Sequence, residues 1–171
     1  MSSKNDKFYL KLALNLAKQH EGLTRENPSV GCVIVKNSKI LSLSKTSING
    51  RPHAEVNAIR LANKNDLKGS TMYVTLEPCT HHGKTPPCTD LIIKKKISKI
   101  VYASNDIDER TANKLKKVLK NYNISTKQIR MKRLLIFTKV TFLLGKTNFL
   151  ILQLNWLALM IIIFIQKKIK I

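Results

Sequence analysis

Thr71-Met72-Tyr73-Val74-Thr75-Leu76-Glu77-Pro78-Cys79, followed after eight intervening residues by Cys88, decides how the rest of the chain reads. Thr71 to Thr75 is rich in β-formers and predicts a strand, while Pro86-Pro87 opens a segment from Cys88 to Lys95 with helical spacing at Leu91 and Lys95. Upstream, Pro52 precedes an Ala-rich stretch, His53 to Ala62, that predicts a helix with Val56, Ile59 and Ala62 on one face. Before it, Val30 to Val35 and Ile40 to Ser44 flank the polar turn Lys36-Asn37-Ser38-Lys39, which predicts a hairpin. At the start, Phe8, Leu12, Ala13, Leu16 and Ala17 recur at helical spacing between Phe8 and His20, with Gly22 as a stop. Downstream, Ile100 to Ala103 reads as a strand and Asn113 to Lys120 as a helix. The order α-β-β-α-β-α-β-α wraps helices around a sheet and predicts a layered α/β domain that closes near residue 125.

Length and charge constrain the function less directly. The chain has 171 residues, 43% of them hydrophobic, enough for one globular domain and too few for a two-domain enzyme. Its formal charge of +21 suggests nucleic acid or an anionic membrane, but the distribution weakens that inference. Residues 1–109 hold 17 bases and all 10 acids, a net +7, whereas the last 62 residues hold 14 bases and no acid. The three cysteines, Cys32, Cys79 and Cys88, are an odd set behind no secretory leader, so the expectation is a reducing cytoplasm in which cysteines near histidines are metal-ligand candidates.

The chemistry lies in His53-Ala54-Glu55, Pro78-Cys79 and Cys88. A catalytic zinc ion takes three protein ligands and leaves one position for water, and one imidazole with two thiolates is such a set. His53, Cys79 and Cys88 are the candidate ligands, with the cysteines expected near helix N-termini or in turns, where backbone N–H groups favour the anionic sulfur. Zinc makes hydroxide available near neutral pH, and a carboxylate must still move protons. Glu55, two residues from His53, is the candidate shuttle from water to a ring nitrogen and a departing amine.

Asn27-Pro28-Ser29-Val30-Gly31, Arg51 to Ala58 and Tyr73 to Cys88 closely resemble the deaminase domain of the bifunctional riboflavin-biosynthesis deaminase/reductase family. The likeness runs from about residue 7 to about residue 125. The eight residues between Cys79 and Cys88, in place of the two found in tRNA adenosine and cytidine-type deaminases, separate this family from its relatives. The resemblance implies a cytidine-deaminase-like three-layer α/β/α sandwich with a central mixed sheet. It implies hydrolysis of the exocyclic amine at C2 of 2,5-diamino-6-ribosylamino-4(3H)-pyrimidinone 5′-phosphate, with one zinc ion held by His53, Cys79 and Cys88 and Glu55 as the catalytic residue. It also implies substrate contacts from Asn27, His81, Lys84 and Thr85, where Asn offers a donor and an acceptor to a pyrimidine edge and Lys a mobile charge for a phosphate. Thr46 stands where many members have a histidine and is expected to hydrogen-bond the substrate in its place; Ser42 and Ser44 replace customary glycines. Asn105-Asp106-Ile107-Asp108 and Asn113-Lys114-Leu115 depart from the family's Asp-Pro-Asn loop and its glycine-rich continuation, which places the far wall of the pocket in question.

The sequence beyond residue 127 loses this likeness, so 1–127 reads as the deaminase domain and 128–171 as an apolar, basic tail in place of a reductase domain. NADPH is accordingly not expected. Two accounts of the tail stand: a slip of reading frame near residue 127, which abrupt loss of acids favours, or a short membrane segment, residues 149–165, followed by Lys167, Lys168 and Lys170. The expected partner is a small pyrimidine ribosyl phosphate, with no nucleic acid, no membrane and a possible homo-oligomer. A nucleic-acid deaminase and an inactive zinc-binding remnant are the alternatives.

Overall fold

The computed structural model describes residues 3–63, 67–106 and 112–131. The elements are α1 (Ser3–Lys18), β1 (Gly31–Lys36), β2 (Lys39–Lys45), a short 3-10 turn at Ile48–Gly50, α2 (Ala54–Leu61), β3 (Thr71–Leu76), α3 (Cys88–Lys94), β4 (Lys99–Ser104), α4 (Leu115–Lys120) and β5 (Ser125–Gln128). The strands form one mixed sheet in the order β2-β1-β3-β4-β5. β1 pairs antiparallel with β2 and β3, whereas β3, β4 and β5 run parallel.

Alternation along the strands builds the three layers. In β1, Val33 and Val35 face α1 and join Tyr9, Leu10, Ala13, Leu14, Ala17, Tyr73, Val101 and Ala103. Cys32 and Ile34 point the other way, into a larger core with Ala58, Ile59, Met72, Val74, Ile92, Ile100, Leu115 and Leu119. Because helices cover both faces, the central strands read as nearly continuous apolar runs, as buried parallel strands do. Gly31 sets the closeness of the first layer: a Cβ there would overlap the Ala13 carbonyl, so only glycine lets α1 lie this near β1.

The structure corrects several expectations. Helix α1 starts at Ser3 and buries Tyr9, Leu10, Ala13, Leu14 and Ala17, leaving Phe8 60% exposed. Of the expected Phe8-Leu12-Ala13-Leu16-Ala17 stripe, Ala13 and Ala17 lie on the buried face, while Leu12 and Leu16 are half-buried and Phe8 is exposed, because Asp6 and Tyr9 on this side are drawn to Tyr73 beneath them: Tyr73 donates to Asp6 Oδ1 at 3.0 Å, and the Tyr9 and Tyr73 rings lie 4.8 Å apart. Helix α2 buries Ala54, Glu55, Ala58 and Ile59, so Val56 is only partly covered. Residues 112–114 form a turn, and α4 begins at Leu115.

The fifth strand was not expected. Ser125-Thr126-Lys127-Gln128 holds no apolar residue, yet it pairs in parallel with Lys99–Tyr102. The Ile129 amide then donates to the Tyr102 carbonyl at 2.8 Å, and Ile129 and Met131 pack against the α1 layer. The sheet thus continues past residue 125. Among the described residues no helix is long and apolar enough to cross a membrane. The expectations for the stretch 132–171, including the candidate span 149–165, lie outside the described residues.

Candidate metal and catalytic site

The carboxyl ends of the parallel strands of an open α/β sheet are where ligands collect, and the candidate residues gather there. β3 ends at Leu76 and delivers Glu77, Pro78 and Cys79 into the loop beyond; Cys88 is the first residue of α3; His53 is the extended N-cap residue of α2. Both cysteines thus sit at a turn or a helix start, as expected from the sequence. The Cys88 amide donates to Cys79 Sγ at 3.2 Å, supplying a backbone N–H to that sulfur.

The three ligands converge. His53 Nδ1 lies 3.4 Å from Cys88 Sγ and 3.8 Å from Cys79 Sγ, and all three donor atoms fall within 4.8 Å of one another. A tetrahedral zinc ion with Zn–S near 2.3 Å and Zn–N near 2.0 Å separates nitrogen from sulfur by about 3.5 Å. The donor set and its spacing fit zinc.

Electrostatics agree with that role. A hydrogen bond from the Cys88 thiol, assisted by His53 and the Cys88 amide and opposed by burial, brings the Cys79 thiol down to about 4. The Cys88 thiol moves up, because it is the donor to Cys79 and because it is buried. The two thiols are thus moved in opposite directions, and a cation that takes both sulfurs displaces the protons they carry. His53 is raised, chiefly by its hydrogen bond to Cys79. Glu55, 4% exposed, is pushed up to about 7 by burial and the neighbouring Cys79 charge, with His53 pulling the other way. A bound dication acts in the same sense as His53.

The remaining expected residues divide into rim and support. Lys84 is exposed, and its Nζ meets Glu26 Oε1 at 2.9 Å. Thr85 is exposed, and its hydroxyl accepts from Arg51 Nη1 at 2.8 Å. His81 is half-buried, with Nε2 near Gly83, 3.6 Å from where a Cβ would stand. Asn27 is half-buried, with its side chain over Gly50: a Cβ on Gly50 would come within 2.5 Å of Asn27 Nδ2. Thr46, expected to hydrogen-bond the substrate, engages backbone in this structure. It is 1% exposed, and its hydroxyl accepts from the Val30 amide at 3.0 Å and faces the Pro28 carbonyl at 3.4 Å. Its carbonyl lies 2.6 Å from His20 Nδ1. The hydroxyl therefore ties the Asn27–Val30 segment to the end of β2.

Sequence reasoning missed Glu77. This carboxylate, 2% exposed, accepts the amides of Asp106 at 3.3 Å, Asn113 at 3.0 Å and Leu115 at 3.1 Å. It pins both ends of the β4–α4 connection beside the metal-ligand loop. The available signal was an acid closing an otherwise apolar strand, where a buried charge needs a specific set of donors.

A family model described as the cytidine and deoxycytidylate deaminase zinc-binding region matches residues 3–104. The chain belongs to this family of zinc-binding deaminases, and its fold is the cytidine-deaminase-like α/β fold. Its relatives narrow the branch. The chain is 44% identical over 122 residues to the diaminohydroxyphosphoribosylamino-pyrimidine deaminase of Buchnera aphidicola subsp. Schizaphis graminum, covering 71% of this chain and 82% of that protein. It is 50% identical over 119 residues to riboflavin biosynthesis protein RibD of Aquifex aeolicus, covering 70% of this chain but 33% of that protein. Among solved structures, Acinetobacter baumannii RibD superposes with a TM-score of 0.75 at 36% identity, over 84% of this chain and 41% of that one. The chain thus spans about a third of the Aquifex protein's length.

Proposed function

We propose that this chain hydrolyses 2,5-diamino-6-ribosylamino-4(3H)-pyrimidinone 5′-phosphate to 5-amino-6-ribosylaminouracil 5′-phosphate and ammonia, as a step of riboflavin synthesis in the cytoplasm. The observation that carries the reading is one buried carboxyl, Glu55, within two residues of a His-Cys-Cys donor set spaced for zinc, on a chain 44% identical to a diaminohydroxyphosphoribosylamino-pyrimidine deaminase.

Zinc, when bound by His53, Cys79 and Cys88, supplies a Lewis acid that makes water a nucleophile near neutral pH. The chain's own residues then account for the protons. Water adds its oxygen to C2, and Glu55 takes one of its protons and passes it to the ring nitrogen. Collapse breaks the C2–N bond; the second water proton, relayed through Glu55, goes to the departing amine, which leaves as ammonia. Burial raises the Glu55 carboxyl and a bound dication draws it back down, so the two influences oppose each other at the group that must both take and give a proton. Asn27 and His81 are the candidate contacts to the base, and Lys84 and Thr85 to the ribosyl phosphate, with Thr46 supporting the Asn27 segment from behind.

The test is ammonia release by the zinc-loaded full chain from the diaminopyrimidinone ribosylamine phosphate, beside Glu55→Ala and with tRNA as a second substrate. Release from the small molecule that Glu55→Ala reduces by at least about a hundredfold, with none from tRNA, supports the reading. Release from tRNA alone points to a nucleic-acid deaminase, and no release from the folded, zinc-loaded chain to a remnant without turnover. NADPH consumption in the same assay tests the expectation that the chain carries no reductase step.

A further inference from the structure

Three loops meet at the rim beside His53. The first is the turn at 23–27, closed by the Asn27 amide on the Thr24 carbonyl and by the Thr24 hydroxyl on the Asn27 carbonyl. The second is Ile48–Gly50 with Arg51, tied to the first by the Asn49 amide on the Leu23 carbonyl at 2.9 Å. Gly50 has φ +87°, and a Cβ there would come within 2.5 Å of the Thr24 carbonyl, so glycine is what lets these two loops touch. The third is the insert between Cys79 and Cys88, which brings Lys84 and Thr85.

Charges on this rim are unbalanced. Arg51 reaches the insert through Thr85, and Lys84 reaches the first loop through Glu26. Glu26 is held below the ordinary carboxylate range, first by its hydrogen bond and charge contact with Lys84, then by Arg51 and Arg25. One carboxylate therefore faces three cations, and the Lys84–Glu26 pair bridges two loops across the rim while its side chains remain 74% and 65% exposed. An exposed pair of this kind contributes little to stability and opens readily. A phosphate monoester carries about −1.5 to −2 charges at pH 7 and three acceptor oxygens, so it outcompetes a single carboxylate for the same cations.

We propose that Arg51 and Lys84 form a two-cation clamp for the substrate's terminal phosphate, and that Glu26 occupies this clamp in the free chain, so that substrate enters by displacing Glu26. The inference rests on the function proposed above and adds to it two residues, Arg51 and Glu26, that the sequence reading did not assign. Arg51 takes the phosphate through its planar fork while Lys84 follows it as a mobile point charge. Glu26 sets the affinity for the anion by holding the clamp in the phosphate's absence.

The experiment compares Arg51→Gln, Glu26→Gln and the control Arg60→Gln, which removes a charge of the same sign from exposed α2 surface, in the zinc-loaded full chain. Steady-state constants are measured with the phosphorylated substrate and with its dephosphorylated counterpart, and binding of ribose 5-phosphate is measured by calorimetry. Arg51→Gln is expected to raise KM for the phosphorylated substrate roughly 5- to 30-fold, the loss of one charge-assisted contact, and far less for the dephosphorylated one. Glu26→Gln is expected to lower KM for the phosphorylated substrate, and Arg60→Gln to change neither. Equal effects on both substrates, or none from either rim substitution, overturn the clamp while leaving the deaminase reading intact. Should the unaltered chain release no ammonia, the deaminase reading fails and ribose 5-phosphate decides the clamp: weaker binding in Arg51→Gln with tighter binding in Glu26→Gln upholds it, and unchanged binding refutes it.

Discussion

Glu77→Gln is the sharpest test of how the site is supported. Glu77 Oε2 accepts the amides of Asn113 and Asp106, and Oε1 accepts the amide of Leu115. Glutamine has one carbonyl oxygen, so its better orientation keeps the two-amide position and turns the NH2 group toward Leu115. Leu115 is fully buried, and water cannot replace the lost acceptor there, whereas Asn113 is exposed. One unmade buried hydrogen bond costs about 1–3 kcal/mol, and loss of charge assistance in the other two brings the total to about 2–4 kcal/mol. With a urea slope of about 2 kcal/mol/M, the middle of the usual range for small domains, the unfolding midpoint falls by about 1–2 M. Amide exchange at Leu115 should accelerate about 30- to 1000-fold, since each 1.4 kcal/mol is tenfold when exchange follows local opening. Because Glu77 stands two residues before Cys79, zinc affinity should fall as well. A midpoint shift below about 0.3 M with the slope unchanged, or unaltered exchange at Leu115, refutes the reasoning.

Asp6 offers a pH-dependent test. Burial acts to raise its carboxyl, but hydrogen bonds from Lys127 and Tyr73 and the charges of Lys99 and Lys127 outweigh burial and hold it below 3.8. A carboxyl lowered in the folded state contributes stability above its unfolded pKa and loses it as pH falls through the folded value. Denaturant titrations should show Asp6→Asn less stable than the unaltered chain at pH 6–7, with the gap shrinking below about pH 4; a gap constant with pH contradicts the network. Gly31→Ala drives a methyl into the Ala13 carbonyl and should cost about 1–3 kcal/mol, read as a lower melting temperature or loss of folded protein by circular dichroism. Cys88→Ser should reduce bound zinc from about one ion per chain toward none, measured by elemental analysis after dialysis; full retention removes Cys88 from the ligand set.

The sequence by itself determined the donor set and the layered plan. His53, Cys79 and Cys88 are chemically distinctive, and their flanking prolines and β-rich run fix them at helix starts and a strand end, which are local properties of the chain. Periodicity likewise identified the helices and the first four strands, because apolar spacing records which residues face a core. The fifth strand was illegible: Ser125-Thr126-Lys127-Gln128 has no apolar signal and becomes a strand only because β4 offers an edge of unpaired backbone and Asp6 takes the Lys127 ammonium at 2.7 Å. The same holds for the face of α1, which Tyr73 selects from 67 residues away in sequence. Thr46 and Glu77 show the limit most clearly. Each is a polar residue whose partners are backbone amides or carbonyls of distant segments, and a backbone group carries no residue-specific signature in the sequence. The ligands of the candidate metal site are thus written in side-chain chemistry, whereas the frame that aims them exists only once the sheet has brought remote main chain within hydrogen-bonding distance.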